Sequence, residues 1–193
     1  MSGRKRNKVI TAVAVCAACV LLLSGFAFAY HRVNSAYPAM TVHTVEPGEY
    51  ASFPGGQEIK VVGWELATVE RVREFYPAFM TEEAAYKWDV AEEDMRNLLV
   101  TIRMKVGDES SLVAFSDLNA SSGTWRNGVD YEVAHLLNKE ALKDITKTGE
   151  EVELLLLYNL FKHQFPTDQW EKIGDRKFEL ICLLYPEKYV FQL

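Results

Sequence analysis

The sequence predicts an all-β domain with helical insertions, a β-sandwich standing behind one N-terminal transmembrane or signal helix. Three observations lead there. Residues 9 to 29, VITAVAVCAACVLLLSGFAFA, form a single uncharged apolar stretch. Residues 98 to 106 alternate apolar and polar side chains with a period of two. The remaining chain breaks into short apolar runs separated by turn residues, with few stretches of helical period, which is the pattern of a sandwich.

The N-terminal stretch comes first. Twenty-one helical residues at 1.5 Å each reach about 31 Å, the hydrocarbon thickness of a bilayer. Arg4, Lys5, Arg6 and Lys8 precede it, and only His31 and Arg32 follow closely. That bias leaves residues 1–8 as a basic cytoplasmic tip and sends the chain outward. Ala27-Phe28-Ala29 resembles a secretory cleavage site. The uninterrupted run from Val9 to Leu23 is long for a signal peptide, which favours a retained anchor; cleavage after Ala29 would give a secreted protein. Cys16 and Cys19 lie inside the run but lack the branched aliphatic residue that a lipid-modification site carries three positions upstream.

Charge then separates the two parts. The 193 residues carry a formal −6, yet the first 32 contain no Asp or Glu. With four of the 21 basic residues in the tip and all 27 acids beyond it, the chain from Val9 onward is formally −10. An exported domain of that charge with no basic patch is not expected to bind nucleic acid. Past the apolar stretch only Cys182 remains, so the domain has no internal disulfide and is held by its core. That usage suits a bacterial cell surface. Cys182, within Phe178–Tyr185, is expected to be a small buried side chain.

Residues 30–46 are expected to be a polar, proline-containing spacer, and residues 47–193 the folded domain. Pro47-Gly48 and Gly55-Gly56 are turn signals. A strand follows at Glu58 to Val69, in which Ile59 and Val61 share one parity while Trp64 and Leu66 share the other; Gly63 marks a bulge. Leu98 to Val106 is a half-buried antiparallel strand. Glu151 to Phe161, with Leu154 to Leu157 unbroken, suits a central strand buried on both faces. Lys177 to Tyr185 and Glu187 to Leu193 are two more, separated by Pro186. Asn127-Gly128, flanked by TWR and VDYEV, is expected to be a hairpin turn because both residues tolerate positive φ.

Two helices are expected as insertions. Thr81 caps a turn opened by Glu82-Glu83, with Ala84, Trp88, Ala91 and Met95 on one face. The other runs from Asn138 to about Thr146 and ends near Gly149.

The strands GGQEIKVVGWELATVE, RNLLVTIRMKV and KTGEEVELLLLYNL, with the terminal pair KFELICLLYPEKYVFQL, carry a resemblance across most of residues 55 to 193. Their order resembles that of bacterial exported or membrane-anchored immunoglobulin-like domains of unknown function, the immunoprotective extracellular antigen-like group. The resemblance implies an immunoglobulin-like sandwich and no catalytic residues. The helix-prone stretch Val72 to Asp94 departs from the compact form of that group.

Chemistry-bearing patterns are sparse. His31, His43, His135 and His163 lack the paired spacing of a zinc site. Glu82-Glu83, Glu92-Glu93-Asp94 and Glu150-Glu151 lack calcium-loop spacing and read as solvated acids. Ser121-Ser122-Gly123 is not a nucleophile elbow, and Gly55-Gly56 is not a phosphate loop. Phe75, Tyr76, Phe79, Tyr86 and Trp88 form an aromatic cluster able to pack an inserted helix or to face a partner. Trp125 and Tyr131 flank the expected hairpin and read as cross-strand packing or a loop-tip site.

No residue is therefore assigned as catalytic, cofactor-binding or metal-ligating, and no cofactor is expected. The expected role is a non-catalytic binding or structural domain displayed outside the membrane, held there through residues 9–29. Its partner would be an extracellular protein or envelope component. Two other classes remain open. One is an envelope hydrolase acting on sugar or peptide, with carboxylates such as Glu92 or Asp130 converging in a cleft. The other is an extracellular sensor module working with a membrane partner.

Overall fold

The computed structural model describes residues 3–75, 92–108, 113–144 and 148–193. It contains two compact units, Met1–Thr41 and Val42–Leu193. The first is dominated by helix α1, Gly3–Ala36, whose 34 residues extend about 50 Å. From Ile10 onward its described side chains are exposed, including Val20, Leu21, Leu22, Leu23, Phe26 and Phe28. A helix so apolar and so unburied has the length and composition to cross a bilayer or to serve as a signal.

The second unit is a β-sandwich. One sheet has the order β1-β9-β8-β5-β6: Thr41–Val45, Glu187–Gln192, Glu179–Leu184, Leu118–Ser122 and Trp125–Asn127. The other has the order β2-β3-β4-β7: Ala51–Ser52, Glu58–Ala67, Met95–Lys105 and Glu151–Phe161. Where the sequence suggests a spacer, the helix runs on to Ala36 and residues 41–45 join a sheet as β1.

The alternation in β4 sets the core. Leu98, Val100, Ile102 and Met104 face inward beside Val152, Leu154, Leu156, Tyr158 and Leu160 of β7. The second sheet answers with Leu118, Ala120, Leu180, Cys182 and Phe191. Each valine, leucine, isoleucine, methionine or phenylalanine among them contributes about 1.5–3 kcal/mol on leaving water. Tyr158 also donates its hydroxyl to the Leu118 carbonyl at 3.0 Å, one polar tie between the sheets.

The bulge in β3 falls where the parity changes. Val61 pairs with Ile102 and Gly63 with Thr101, leaving Val62 as the extra residue. Past it, Trp64 lies opposite Val100 and Leu66 opposite Leu98, so the second half of β3 keeps its large side chains on the core side. The ring of Trp64 meets Phe178 at 6.2 Å.

The opposite face of β4 and β7 is apolar at one end and charged at the other. Helices α2, Val69–Phe75, and α3, Tyr131–Leu137, cover the apolar end, where Val69, Val72 and Val133 pack with Ala67, Met95, Leu99 and Leu157. The charged end is a cross-strand ladder. Glu58 lies opposite Lys105 and Lys105 opposite Glu151; Lys60 lies opposite Arg103 and Arg103 opposite Glu153. Arg103 reaches Glu153 at 2.9 Å and Glu151 at 3.4 Å, which raises its pKa, chiefly through the Glu153 hydrogen bond. These pairs are solvated and contribute little to stability.

Several expectations change. Only the middle of β7, Leu156 to Tyr158, is buried on both faces, and among the described residues β7 is an edge strand, with helices covering its second face. Asn127-Gly128 is not the hairpin turn. Ser122 pairs with Trp125, so the turn is Gly123-Thr124, where Gly123 takes φ +62. Tyr131 to Leu137 is helix instead of returning strand: Asp130 accepts the Val133 amide and caps it, an arrangement that outcompetes β pairing. The helix expected from Thr81 lies outside the described residues except at its end. There Glu92–Asp94 is a 3-10 turn and Met95 opens β4, buried at 1% exposure. Of the stretch from Asn138 to about Thr146, Ala141–Asp144 forms a short helix, α4.

Candidate binding surface

The groups that sequence singles out for chemistry are engaged in holding the fold. Asp130 caps α3 and also accepts from Asn159 Nδ2 at 2.9 Å. Ser122 is buried; its hydroxyl donates to the Lys177 carbonyl at 2.6 Å and accepts from Arg176 Nε at 3.1 Å. Cys182 is fully buried, and desolvation, helped by the Asp117 charge, pushes its thiol up to about 11. Such a thiol is a poor nucleophile near neutral pH. Glu92 sits in the 3-10 turn before β4, and its side chain lies outside the described ones.

The histidines are dispersed. His31 is on α1; His43 pairs with Glu187 and stacks on Tyr189 at 4.8 Å; His163 stacks on Phe161 at 5.6 Å. Among the described residues no three of His, Cys, Asp and Glu converge as metal ligands do.

Trp125 and Tyr131 have parted company. Trp125 is buried, donates its indole N–H to Gln164 at 3.1 Å, and packs on Phe165 and Phe178. Tyr131, 54% exposed, opens α3. It lies nearly parallel to Phe115, at 5.8 Å and 7°, and beside His135 at 5.0 Å. The spacing of Tyr131 and His135 is one helical turn, which places both on one side of α3. Leu136 is exposed next to them. The result is an exposed aromatic ledge on the rigid support of a capped helix. Of the other aromatic cluster, Phe75 ends α2, and Tyr76, Phe79, Tyr86 and Trp88 lie outside the described residues.

A depression of about 300 Å³ lies on the sheet face beside the β3 bulge, lined by Gly63, Trp64, Glu65, Leu99, Thr101 and Leu155. Its one carboxylate, Glu65, is 3.6 Å from Arg71 Nε. The lining is largely apolar, with a hydroxyl and an ion pair at its margin, a composition suited to contact and lacking an acid–base pair.

Sequence reasoning missed a buried amide seam on that same sheet face. Asn97 and Asn159 are cross-strand partners. Asn97 is fully buried, and among the described residues neither of its amide atoms meets a partner; Asn159 Oδ1 is likewise unmatched there. Asn97 interrupts the apolar run of β4 at a position that the alternation marks as outward, so its burial under helices was not visible from parity.

The fold is similar to that of an uncharacterised β-sandwich protein from Clostridium difficile, with 13% identity, a TM-score of 0.43, and coverage of 81% of this chain and 97% of that one. No curated protein matches the sequence. A family model described as a domain of unknown function, DUF5028, matches residues 55–189. That span runs from β3 into β9, with β1 and β2 before it, and the chain belongs to the DUF5028 family.

Proposed function

We propose that this protein is a non-catalytic binding or structural domain displayed outside a bacterial membrane. In this reading α1 is a retained single-pass anchor, the basic tip stays in the cytoplasm, and the immunoglobulin-like sandwich faces outward to meet an extracellular protein or envelope component. The observation that carries the reading is a division of labour. Asp130, Ser122 and Cys182 are tied into the structure, while the accessible groups are the Tyr131 ledge and an apolar depression. Exposed aromatics on a rigid element are the common anchors of protein recognition. The unburied apolar helix and the preceding basic residues support the anchoring.

The test is photo-crosslinking on intact cells, with a photoreactive analogue at Tyr131 and, as control, at exposed Lys172. A discrete adduct at 131 that is missing at 172 is the expected result. Equal adduct patterns at both positions would sink the ledge as a binding surface. Intact-protein mass spectrometry of the same cells reads the N-terminus: a chain beginning at Tyr30 would replace the anchor with a cleaved signal. Hydrolysis of envelope sugar or peptide that disappears in Asp130→Asn at unchanged thermal stability would replace the binding reading with the enzyme.

A further inference from the structure

We propose that β1 is a homodimerisation edge, pairing antiparallel with β1 of a second copy in the same membrane. The inference rests on the anchored reading above. It begins from a contrast among the sheet edges. β7 is covered by amides from two side chains and one backbone group: Asn138 bonds both backbone groups of Leu155, the Asp130 N–H donates to Leu157 O at 2.8 Å, and Asn127 Nδ2 donates to Asn159 O at 2.8 Å. β6 has three residues, and its Asn127 side chain is turned to β7. β2 has two residues, and β3 beyond it carries the bulge and the charges of Lys60 and Glu65. Short strands, bulges, charges and side-chain cover are the ways that folded proteins protect an edge from another chain.

Among the described residues β1 has no bulge and no side chain bonded over its outer rim, and its one ionisable residue, His43, is engaged by Glu187 of β9. It reads Thr-Val-His-Thr-Val, with no Lys, Pro or bulge, and Thr41, Val42, His43 and Thr44 are exposed. Its inner side joins β9, and among the described residues its outer side carries no strand. Four of its five residues are β-branched valine or threonine, two on either side of His43, so the strand suits extension. It is also self-complementary. An antiparallel copy centred on His43 places Thr41 opposite Val45 and Val42 opposite Thr44, with no fixed like charges facing each other.

The membrane makes the second copy the favoured occupant. A five-residue strand pair buries far less than the roughly 1,200 Å² of a stable soluble interface. The link from Ala36 to Thr41 spans four residues, and α1 would confine copies to one surface, raising their effective concentration. Free extended peptide enjoys no such advantage. Exposed Val42 and His43 then become buried or half-buried in the pair.

The experiment uses the full chain in lipid vesicles, with Cys16 and Cys19 replaced by Ala and Cys182 left in its buried position. His43→Cys places a thiol opposite its own copy, and Lys172→Cys is the exposed control. Mild oxidation should give about 10-fold more disulfide-linked dimer at 43 than at 172, as confinement to a shared register predicts. Adding Val42→Lys, a charge on an already exposed position, should bring the yield at 43 down to the control. Vesicle flotation separates the two readings. A chain that does not float overturns the anchoring and the pairing together. A chain that floats but crosslinks equally at 43 and 172, or ignores Val42→Lys, overturns the pairing alone.

Discussion

Asn138 takes the place of a neighbouring strand for Leu155. Its Oδ1 accepts the Leu155 N–H at 2.7 Å, and its Nδ2 donates to the Leu155 carbonyl at 2.8 Å, so one amide reproduces both hydrogen bonds of a ladder rung. The same Nδ2 also reaches the Ala134 carbonyl at 2.6 Å, tying α3 to the strand that it covers. Replacing Asn138 with Leu leaves two buried backbone groups of Leu155 without partners. The expected cost is about 2–4 kcal/mol of unfolding free energy in urea. Asn138→Asp should also destabilise, because a carboxylate cannot donate to the Leu155 carbonyl. A loss below 0.5 kcal/mol for both would show that the rung is not what holds β7.

The bulge predicts an asymmetry between deleting and trimming one side chain. Removing Val62 shifts Trp64 and Leu66 to the opposite face of β3, against the pairing with Val100 and Leu98. The expected loss is about 3 kcal/mol or more, from the two displaced side chains. Val62→Ala, at a 46% exposed position, should stay within about 0.5 kcal/mol. Chemical denaturation of the two variants makes the comparison.

Asn97 should be a site where a polar residue weakens the fold. Among the described residues both of its amide atoms are buried without a partner, on the sheet face that carries Ala67, Met95, Leu99 and Leu157. Asn97→Val suits a strand and removes the unmatched groups, and it should raise stability by about 1–2 kcal/mol. A drop in stability instead would assign the amide a partner in the folded state.

Alkaline pH should destabilise the domain. The Cys182 thiol is held at about 11 against its ordinary 9.0 by desolvation, and burial raises the Tyr158 hydroxyl above its ordinary 10.0. Unfolded, both groups lose protons sooner, so the folded state binds more protons above pH 9. Their contribution is complete below that pH and is lost as pH rises through the folded values. Urea titrations from pH 8 to 11 should show a falling midpoint. Tyr158→Phe should flatten part of that fall while losing about 1 kcal/mol at pH 8 with the Leu118 hydrogen bond. Below pH 9 a maleimide should leave Cys182 unmodified until the domain unfolds.

What sequence could and could not reveal follows from the range of the interactions. The inward set of β4, the bounds of β7 and the bulge at Gly63 depend on parity within one strand, and parity is local. The edge position of β7 depends on which element covers its second face, and a run such as Leu154–Leu157 looks the same under helices as between strands. The hairpin was displaced by a similar contest. Asn127-Gly128 has the turn chemistry, but Asn127 bonds to Asn159 across the sandwich, and the turn falls at Gly123, whose positive φ leaves Trp125 facing the core. The Tyr131 ledge required a helix to bring His135 beside the ring, and nothing in VDYEV announced one. Asn97 is the extreme case, polar by type, outward by parity, and buried by two distant helices.

The sealed rim of β7 bears on stoichiometry. A sandwich with two open rims could add subunits head to tail without limit, and a crowded membrane surface would then favour filaments. Asn138, Asp130 and Asn127 occupy that rim with their own amides, so an incoming strand meets both backbone groups of Leu155 and the carbonyls of Leu157 and Asn159 already engaged. With β7 withdrawn from pairing, identical β1 rims meeting across a two-fold axis would close at two copies. The amides along β7 would thereby act as a terminator of edge-to-edge growth.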